Sequence, residues 1–137
     1  MLERPRSGER AILVHLTITS FKEQASLEEF AELARSAGAV TVAQVTGTRH
    51  SPDAGYFIGT GKVEEIKELV LAHQAEVVLF NHTLSPAQER NLEVALECRV
   101  LGRTGVILDI FAQRARSYEG KLQVELAQLK HLSTRLI

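Results

Sequence analysis

The chain has 137 residues, of which 45% are hydrophobic and 24% are charged, and its formal net charge is −1. A chain of this length fits one globular domain, and its near-neutral charge excludes a global attraction to nucleic acid or to a membrane surface. The one cysteine, Cys98, cannot build a disulfide framework, so a reducing cytosol is expected. We recognise no secretory signal and no apolar run of membrane-spanning length, which favours a cytoplasmic protein.

The first third of the chain predicts a strand, a helix and a second strand. Residues 11–18 are apolar and β-branched, as is typical of a strand. A helix is expected to begin after Ser26, with Glu29 completing a capping box three residues later, and to stop at Gly38. Residues 40–45 predict the next strand.

The middle of the chain predicts a loop, a helix and a buried strand. Residues 46–56 contain glycine, proline and aspartate and are expected to form a loop, and residues 56–58 predict a short extended piece. A helix is expected to start near Gly61. The continuous apolar run at residues 77–80 is typical of a parallel strand that is covered on both faces.

A further helix and strand complete an alternating pattern. Ser85 as N-cap, Pro86 at the first helical position and Gln88 three residues after the cap indicate a helix start. Residues 99–101 predict a short last strand. Strands that alternate with helices predict an α/β fold, with a mainly parallel four-stranded sheet built from βαβ units and flanked by helices.

The last quarter of the chain is expected to be helical. Residues 104–115 predict one helix, and a second is expected from about Tyr118, with leucines at roughly heptad spacing. No stop signal precedes Ile137, so we expect the start of a truncated helical hairpin whose leucines allow copies to associate. The predicted division is an α/β domain over residues 8–103 and a helical segment over residues 104–137.

The sequence Gly-Thr-Gly-Lys at residues 59–62 is a candidate phosphate or nucleotide site. Glycines at a helix N-terminus let an anion approach the backbone N–H groups, and a lysine adds positive charge. The candidate residues are Gly59, Gly61 and Lys62. The P-loop template is incomplete, because Tyr56 and Val63 stand where it requires Gly and Ser or Thr. The alternative is a turn with a helix cap and a solvated lysine.

Polar residues also follow the predicted strands, at the edge where open parallel sheets bind ligands. Arg49, His82 and Arg103 are candidates for holding a phosphate-rich partner. The alternative is that His82 and its neighbour Asn81 satisfy loop backbone and cap the next turn. Both interpretations stay open for Arg103, whereas the structural one is favoured for His82.

Positive charge is concentrated near the C-terminus. Residues 114–137 contain five basic and two acidic residues, a formal charge of +3, whereas residues 1–113 contain eleven basic and fifteen acidic residues, a charge of −4. Arg114, Arg116 and Lys121 are candidates for neutralising RNA phosphates, and the alternative is a solvated helix junction. No ligand spacing among the five histidines predicts a metal site, and no nucleophile–base pair predicts catalysis.

Four motifs together resemble the HflX family of ribosome-associated GTPases. Residues 103–116 (RTGVILDIFAQRAR) are similar to its RTGxILDIFAxRAx signature, and residues 119–129 (EGKLQVELAQL) are similar to the segment that follows. Residues 56–62 (YFIGTGK) and 84–92 (LSPAQERNL) are similar to two upstream motifs. The resemblance extends from about residue 8 to the end of the chain. The family usually has Asp at positions 81 and 102, so a role that needs those carboxylates is in doubt here.

The resemblance implies an N-terminal domain whose GTPase domain, with its GTP and Mg²⁺, is absent from this chain. Such proteins bind the large ribosomal subunit and its rRNA and help to split stalled ribosomes in the cytoplasm, and ATP binding by this region has been proposed. We therefore expect no GTP hydrolysis, no cofactor and no metal in this fragment. Its expected partners are the ribosomal subunit and its own GTPase domain, with no membrane. Conditional on the resemblance, the residues expected to contact RNA or another domain are Arg103, Arg114, Arg116 and Lys121. The alternatives are an accessory ATP site at residues 59–62 and a purely structural scaffold.

Overall fold

The computed structural model of the chain describes residues 8–22, 25–116 and 118–119. The elements in chain order are β1 (Glu9–Ile18), α1 (Leu27–Ser36), β2 (Ala39–Arg49), α2 (Thr60–His73), β3 (Val77–Phe80), α3 (Pro86–Leu96) and β4 (Arg99–Leu101). Residues 103–116 form a further helix, α4. The strands form one sheet in the order β2-β1-β3-β4, and every pairing is parallel. The predicted parallel α/β fold is confirmed.

The central strand β1 organises the sheet. It pairs with β2 from Glu9↔Ala39 to Ile18↔Arg49, and with β3 from Ala11↔Val77 to Val14↔Phe80. Strand order therefore reverses at β1: the chain passes from β1 to β2 on one side and returns past β1 to β3 on the other. Such a reversal leaves a crevice at the carboxyl ends of the two strands.

Alternate side chains of the sheet form two separate apolar layers. Ile12 and Val14 of β1 belong to a layer shared with α2 and α3, in which Ile66 and Leu92 are fully buried. The neighbouring residue Leu13 belongs to the opposite layer. Its other members on helices are Phe30, Ala34 and Ala37 around α1 and Val106 and Ile110 of α4. Each fully buried large apolar side chain contributes about 1.5–3 kcal/mol to folding.

The helix starts are determined by local capping. At α3, Ser85 Oγ accepts the Gln88 N–H at 3.1 Å and Gln88 Oε1 accepts the Ser85 N–H at 2.9 Å, so the predicted capping box is present. At α1, Ser26 Oγ accepts the Glu29 N–H at 3.2 Å. The reciprocal bond from the Ser26 N–H to Glu29 is not among the hydrogen bonds of the described residues, so only half of the box predicted there is formed.

Two predicted boundaries in the middle of the chain are wrong. The loop expected from residue 46 begins only after Arg49, because β2 keeps pairing with β1 as far as Ile18. Within the strand, a Cβ at position 47 would lie 2.8 Å from Lys62 Cε, so the glycine leaves room for the Lys62 side chain. The extended piece at residues 56–58 is instead a tight turn, closed by an isolated antiparallel bridge between Asp53 and Phe57.

Helix α4 covers the helix predicted at residues 104–115 and packs against the sheet through Val106 and Ile110. The predicted division of the chain at residue 103 stays a prediction. The leucine-rich helix expected from Tyr118 falls outside the described residues, except for residues 118–119. Within the described ranges no helix is long and apolar enough to cross a membrane.

Candidate functional site

A crevice lies at the carboxyl edge of the sheet, beyond the paired ends of β1 and β3. Its first cavity has a volume of about 250 Å³. The cavity is lined by Phe21, Ala25, Phe57, Asn81, His82, Thr83 and Arg103. A second cavity of about 350 Å³ lies on the α1 side and shares Asn81 and Arg103 with the first. This is the edge at which open parallel sheets bind ligands.

Asn81 is the most informative residue of the crevice. It follows β3 directly and is only 2% exposed. Its Nδ2 lies 3.2 Å from the Ser26 carbonyl oxygen and 3.0 Å from His15 Nδ1. A carbonyl oxygen only accepts, so the atom facing Ser26 must be the amide nitrogen, and His15 Nδ1 accepts from it as well.

This orientation leaves Asn81 Oδ1 buried without a hydrogen-bond partner among the described residues. A buried acceptor left unsatisfied costs about 1–3 kcal/mol. Natural structures contain few such atoms, and each calls for an explanation such as a water, an ion or a ligand. A donor supplied from the adjoining cavities would remove this cost.

His82 holds the same loop to the central strand. Its Nε2 accepts the backbone N–H of Leu16 at 2.9 Å, and its ring packs 4.7 Å from the Phe57 ring and 5.7 Å from the His15 ring, centroid to centroid. Burial, then the charges of His15 and Arg103, lowers the pKa of His82 to about 4. Burial also lowers the pKa of His15. Both imidazoles are therefore neutral at pH 7. His82 has a structural contact, but with the backbone of β1 and not with the loop backbone that the structural interpretation named.

Arg103 provides positive charge at the crevice. Its backbone N–H donates to the His82 carbonyl at 2.8 Å, which places the residue at the start of α4. Its guanidinium makes no ion pair or hydrogen bond with any residue that the structure describes. The positive end of the α4 dipole lies at the same place. The crevice therefore combines a cation and a buried acceptor, neither of which has a partner among the residues that the structure describes.

The Gly-Thr-Gly-Lys turn lies at the start of α2 and contributes no lining residue to this crevice. Lys62 Nζ donates to the Thr46 carbonyl at 2.7 Å and pairs with Glu65 at 3.1 Å. A side chain at Gly59 would come within 2.8 Å of Arg49 Nη1, whereas Gly61 faces open space. Lys62 is thus held against the end of β2, and a phosphate-binding role for this turn stays a prediction.

The predicted RNA-contacting residues are not assembled into one site. Arg114 and Arg116 are exposed near the end of α4, about 16–20 Å along the helix axis from Arg103. Neither forms an ion pair with the residues that the structure describes, in contrast to the Arg99–Glu9 pair at 2.8 Å. Lys121 lies outside the described residues.

Several residues of the crevice were not found by sequence reasoning. Asn81 was placed among the polar residues that follow the predicted strands, but it was not among the candidates for holding a partner, because the sequence does not show which of its atoms is left without a hydrogen bond. The two aromatic residues Phe21 and Phe57 carried no signal, because their approach depends on two separate loops. Over the described ranges, no group of three His, Cys, Asp or Glu residues is placed to hold a metal ion.

The chain is similar to part of several known GTPases. The family model described as "GTP-binding GTPase N-terminal" matches residues 24–112. The GTPase HflX of Escherichia coli K12 is 58% identical over 137 residues, which are 100% of this chain and 32% of that protein. The GTPase HflX of Caldanaerobacter subterraneus subsp. tengcongensis is 47% identical over 137 residues, again 100% of this chain and 32% of the relative. The chain thus spans about a third of the length of these relatives.

A solved structure shows the same arrangement. A GTP-binding protein from the hyperthermophilic archaeon Sulfolobus solfataricus, in complex with GDP, is 27% identical with a TM-score of 0.59. The match covers 90% of this chain and 36% of that one. The matching region of each relative is therefore one part of a longer protein.

Proposed function

This chain belongs to the HflX GTPase family as its N-terminal domain, and on that premise we propose that it docks a GTPase onto the large ribosomal subunit. In this function the domain contacts ribosomal RNA and helps the whole protein to split or rescue stalled ribosomes in the cytoplasm. GTP and Mg²⁺ are bound by the GTPase domain of the whole protein. The domain described here positions that GTPase and restrains its nucleotide cycle.

The exposed arginines of α4 are the observation that supports docking to RNA. Arg114 and Arg116 have no carboxylate partner within the described part of the chain, so both guanidinium groups are available to an external anion. The comparable arginines Arg35 and Arg99 are already paired with Glu32 and Glu9. An unpaired arginine that contacts a phosphate releases counterions, which makes binding tighten as salt falls.

Binding to purified large ribosomal subunits over a salt series tests this function. We expect Arg114→Gln and Arg116→Gln each to weaken binding several-fold and to reduce the salt slope by about one. Arg90→Gln is the matched control, since Arg90 is equally exposed but lies on α3, on the opposite face of the sheet. Binding that does not depend on salt, or an equal loss in the Arg90 variant, would contradict docking through α4.

An accessory nucleotide site at residues 59–62 is the second candidate. The N-cap residue Gly59 has no side chain that could accept a hydrogen bond from the first N–H groups of α2. These N–H groups are therefore open to an anion. Lys62→Ala should then weaken nucleotide binding by the isolated chain. Unchanged nucleotide affinity would leave the turn with a structural role, in which Lys62 holds the end of β2 to α2.

A further inference from the structure

We propose that the crevice between β1 and β3 is a binding site for hydrogen phosphate. Arg103 attracts the anion by its charge, and Asn81 accepts a hydrogen bond from the P–O–H group of the anion. The site lies in the first cavity, apart from Arg114 and Arg116 at the far end of α4 and from residues 59–62. It does not depend on ribosome docking.

Asn81 requires a ligand that donates a hydrogen bond. Its Nδ2 is committed to Ser26 and His15, so the amide cannot turn to offer a donor to a ligand. The atom left over is Oδ1, an acceptor with no partner within the described ranges. A ligand that satisfies it must donate. Hydrogen phosphate carries a P–O–H group at neutral pH, whereas sulfate carries acceptors alone.

The requirement for an anion comes from the charges around the cavity. Arg103 is the charged residue among its lining, and its guanidinium has no partner in the part of the chain that the structure describes. Among the described residues, no carboxylate lines this cavity, whereas Glu29 and Glu32 line the second one on the α1 side. The adjacent start of α4 adds the positive end of a helix dipole. An anion is therefore favoured in the first cavity and disfavoured in the second.

The remaining lining fits a small hydrated anion. Thr83 brings a hydroxyl group that can donate or accept. His82 is neutral and its Nε2 is occupied by the Leu16 N–H, so it neither repels nor attracts an anion by charge. The volume of about 250 Å³ accommodates one phosphate with ordered water. The place of the cavity, at the reversal of strand order, is where sheets of this kind bind ligands.

Titration of the ¹⁵N-labelled 137-residue chain with inorganic phosphate and with sulfate, at constant ionic strength and neutral pH, tests the site. We expect phosphate to shift the amide signals of Asn81, Thr83 and Arg103, and to bind at least about tenfold more tightly than sulfate. Methyl phosphate near pH 8 should behave like sulfate, because a phosphate monoester loses its last proton near pH 6. Equal affinity for phosphate and sulfate would overturn recognition through Asn81.

Two variants localise the binding. Arg103→Gln should weaken phosphate binding about tenfold or more, while Arg90→Gln, which removes an exposed arginine from α3, should leave it unchanged. The spectrum of each variant reports whether the fold is retained. Absence of binding in the unmodified chain at millimolar phosphate would reject the site. So would signal shifts confined to residues 59–62, because they would place the anion at the start of α2.

Discussion

At the scale of single residues, His82 connects the loop after β3 to the backbone of β1. Its pKa is lowered to about 4 in the folded chain, against about 6.5 in the unfolded chain. The unfolded chain therefore takes up the proton first as the pH falls, and stability is lost between about pH 6.5 and pH 4. After allowance for partial solvent screening, we expect His82 to contribute a loss on the order of 2 kcal/mol over this range.

Urea unfolding at a series of pH values between about 7 and 4 measures this effect. His82→Gln should lower stability at neutral pH and flatten the pH dependence, because the titrating group is gone. His73→Gln, the same substitution at the end of α2, should keep the pH dependence of the unmodified chain. If His82→Gln retains the full slope, the pH dependence arises elsewhere.

Gly102 is a second residue whose role depends on close contact. A Cβ at this position would lie 2.9 Å from the His82 carbonyl oxygen, a backbone atom that has little freedom to move. Gly102→Ala should therefore destabilise the chain by about 1–3 kcal/mol in thermal or urea unfolding. Gly61→Ala is the control, because a Cβ there meets nothing within 4 Å and Ala favours the helix by about 0.5–1 kcal/mol. Equal effects of the two substitutions would contradict the close approach at Gly102.

At the scale of elements, α4 is joined to the sheet by one apolar face. Ile110 lies in the layer with Phe30 and Leu13, whereas Leu108 on the same helix is 60% exposed. Ile110→Ala should cost about 2–4 kcal/mol of unfolding free energy, and Leu108→Ala should cost less than about 0.5 kcal/mol. A small effect of Ile110→Ala would show that α4 is not packed on the sheet in solution.

Helix α3 depends on its capping box for a defined start. Ser85→Ala removes the acceptor for the Gln88 N–H and should cost about 1 kcal/mol in urea unfolding. Thr83→Ala, two residues earlier and exposed, is a control that does not touch the box. A loss in the Thr83 variant as large as that in the Ser85 variant would argue against the cap as the cause.

At the scale of the whole molecule, α4 exposes Leu108 and Phe111, which are 60% and 62% exposed, and Tyr118 beyond its end is 66% exposed. Such apolar side chains on one helix favour association, as the leucines expected beyond them also do. We expect sedimentation velocity to show association that increases with concentration, and Phe111→Gln to reduce it. Val94→Gln, at an exposed apolar position of α3, should have no effect. A strictly monomeric chain at all concentrations would contradict this expectation.

Local sequence patterns were enough to predict the elements and the parallel orientation of the strands. Helix caps, glycine stops and apolar periodicity act over a few residues, so the starts of α1, α2 and α3 and the buried run of β3 could be predicted locally. Alternation of strands and helices then implied a parallel sheet, because parallel strands need crossover connections. Four motifs that occur in the same order as in the family identified it. A match between residues does not depend on how those residues pack.

Tertiary contacts set where those elements end and what the edge of the sheet can bind. The length of β2 depends on its pairing with β1, a contact between distant parts of the chain. The hydrogen bond from Lys62 to Thr46 depends in the same way on segments brought together by the sheet. So does the lack of a partner, among the described residues, for the oxygen of Asn81. Local propensity carries no information about which hydrogen-bonding atom remains unsatisfied after folding. That atom and Arg103, which lines the same cavity, define the candidate site, because a buried acceptor is costly to leave without a partner.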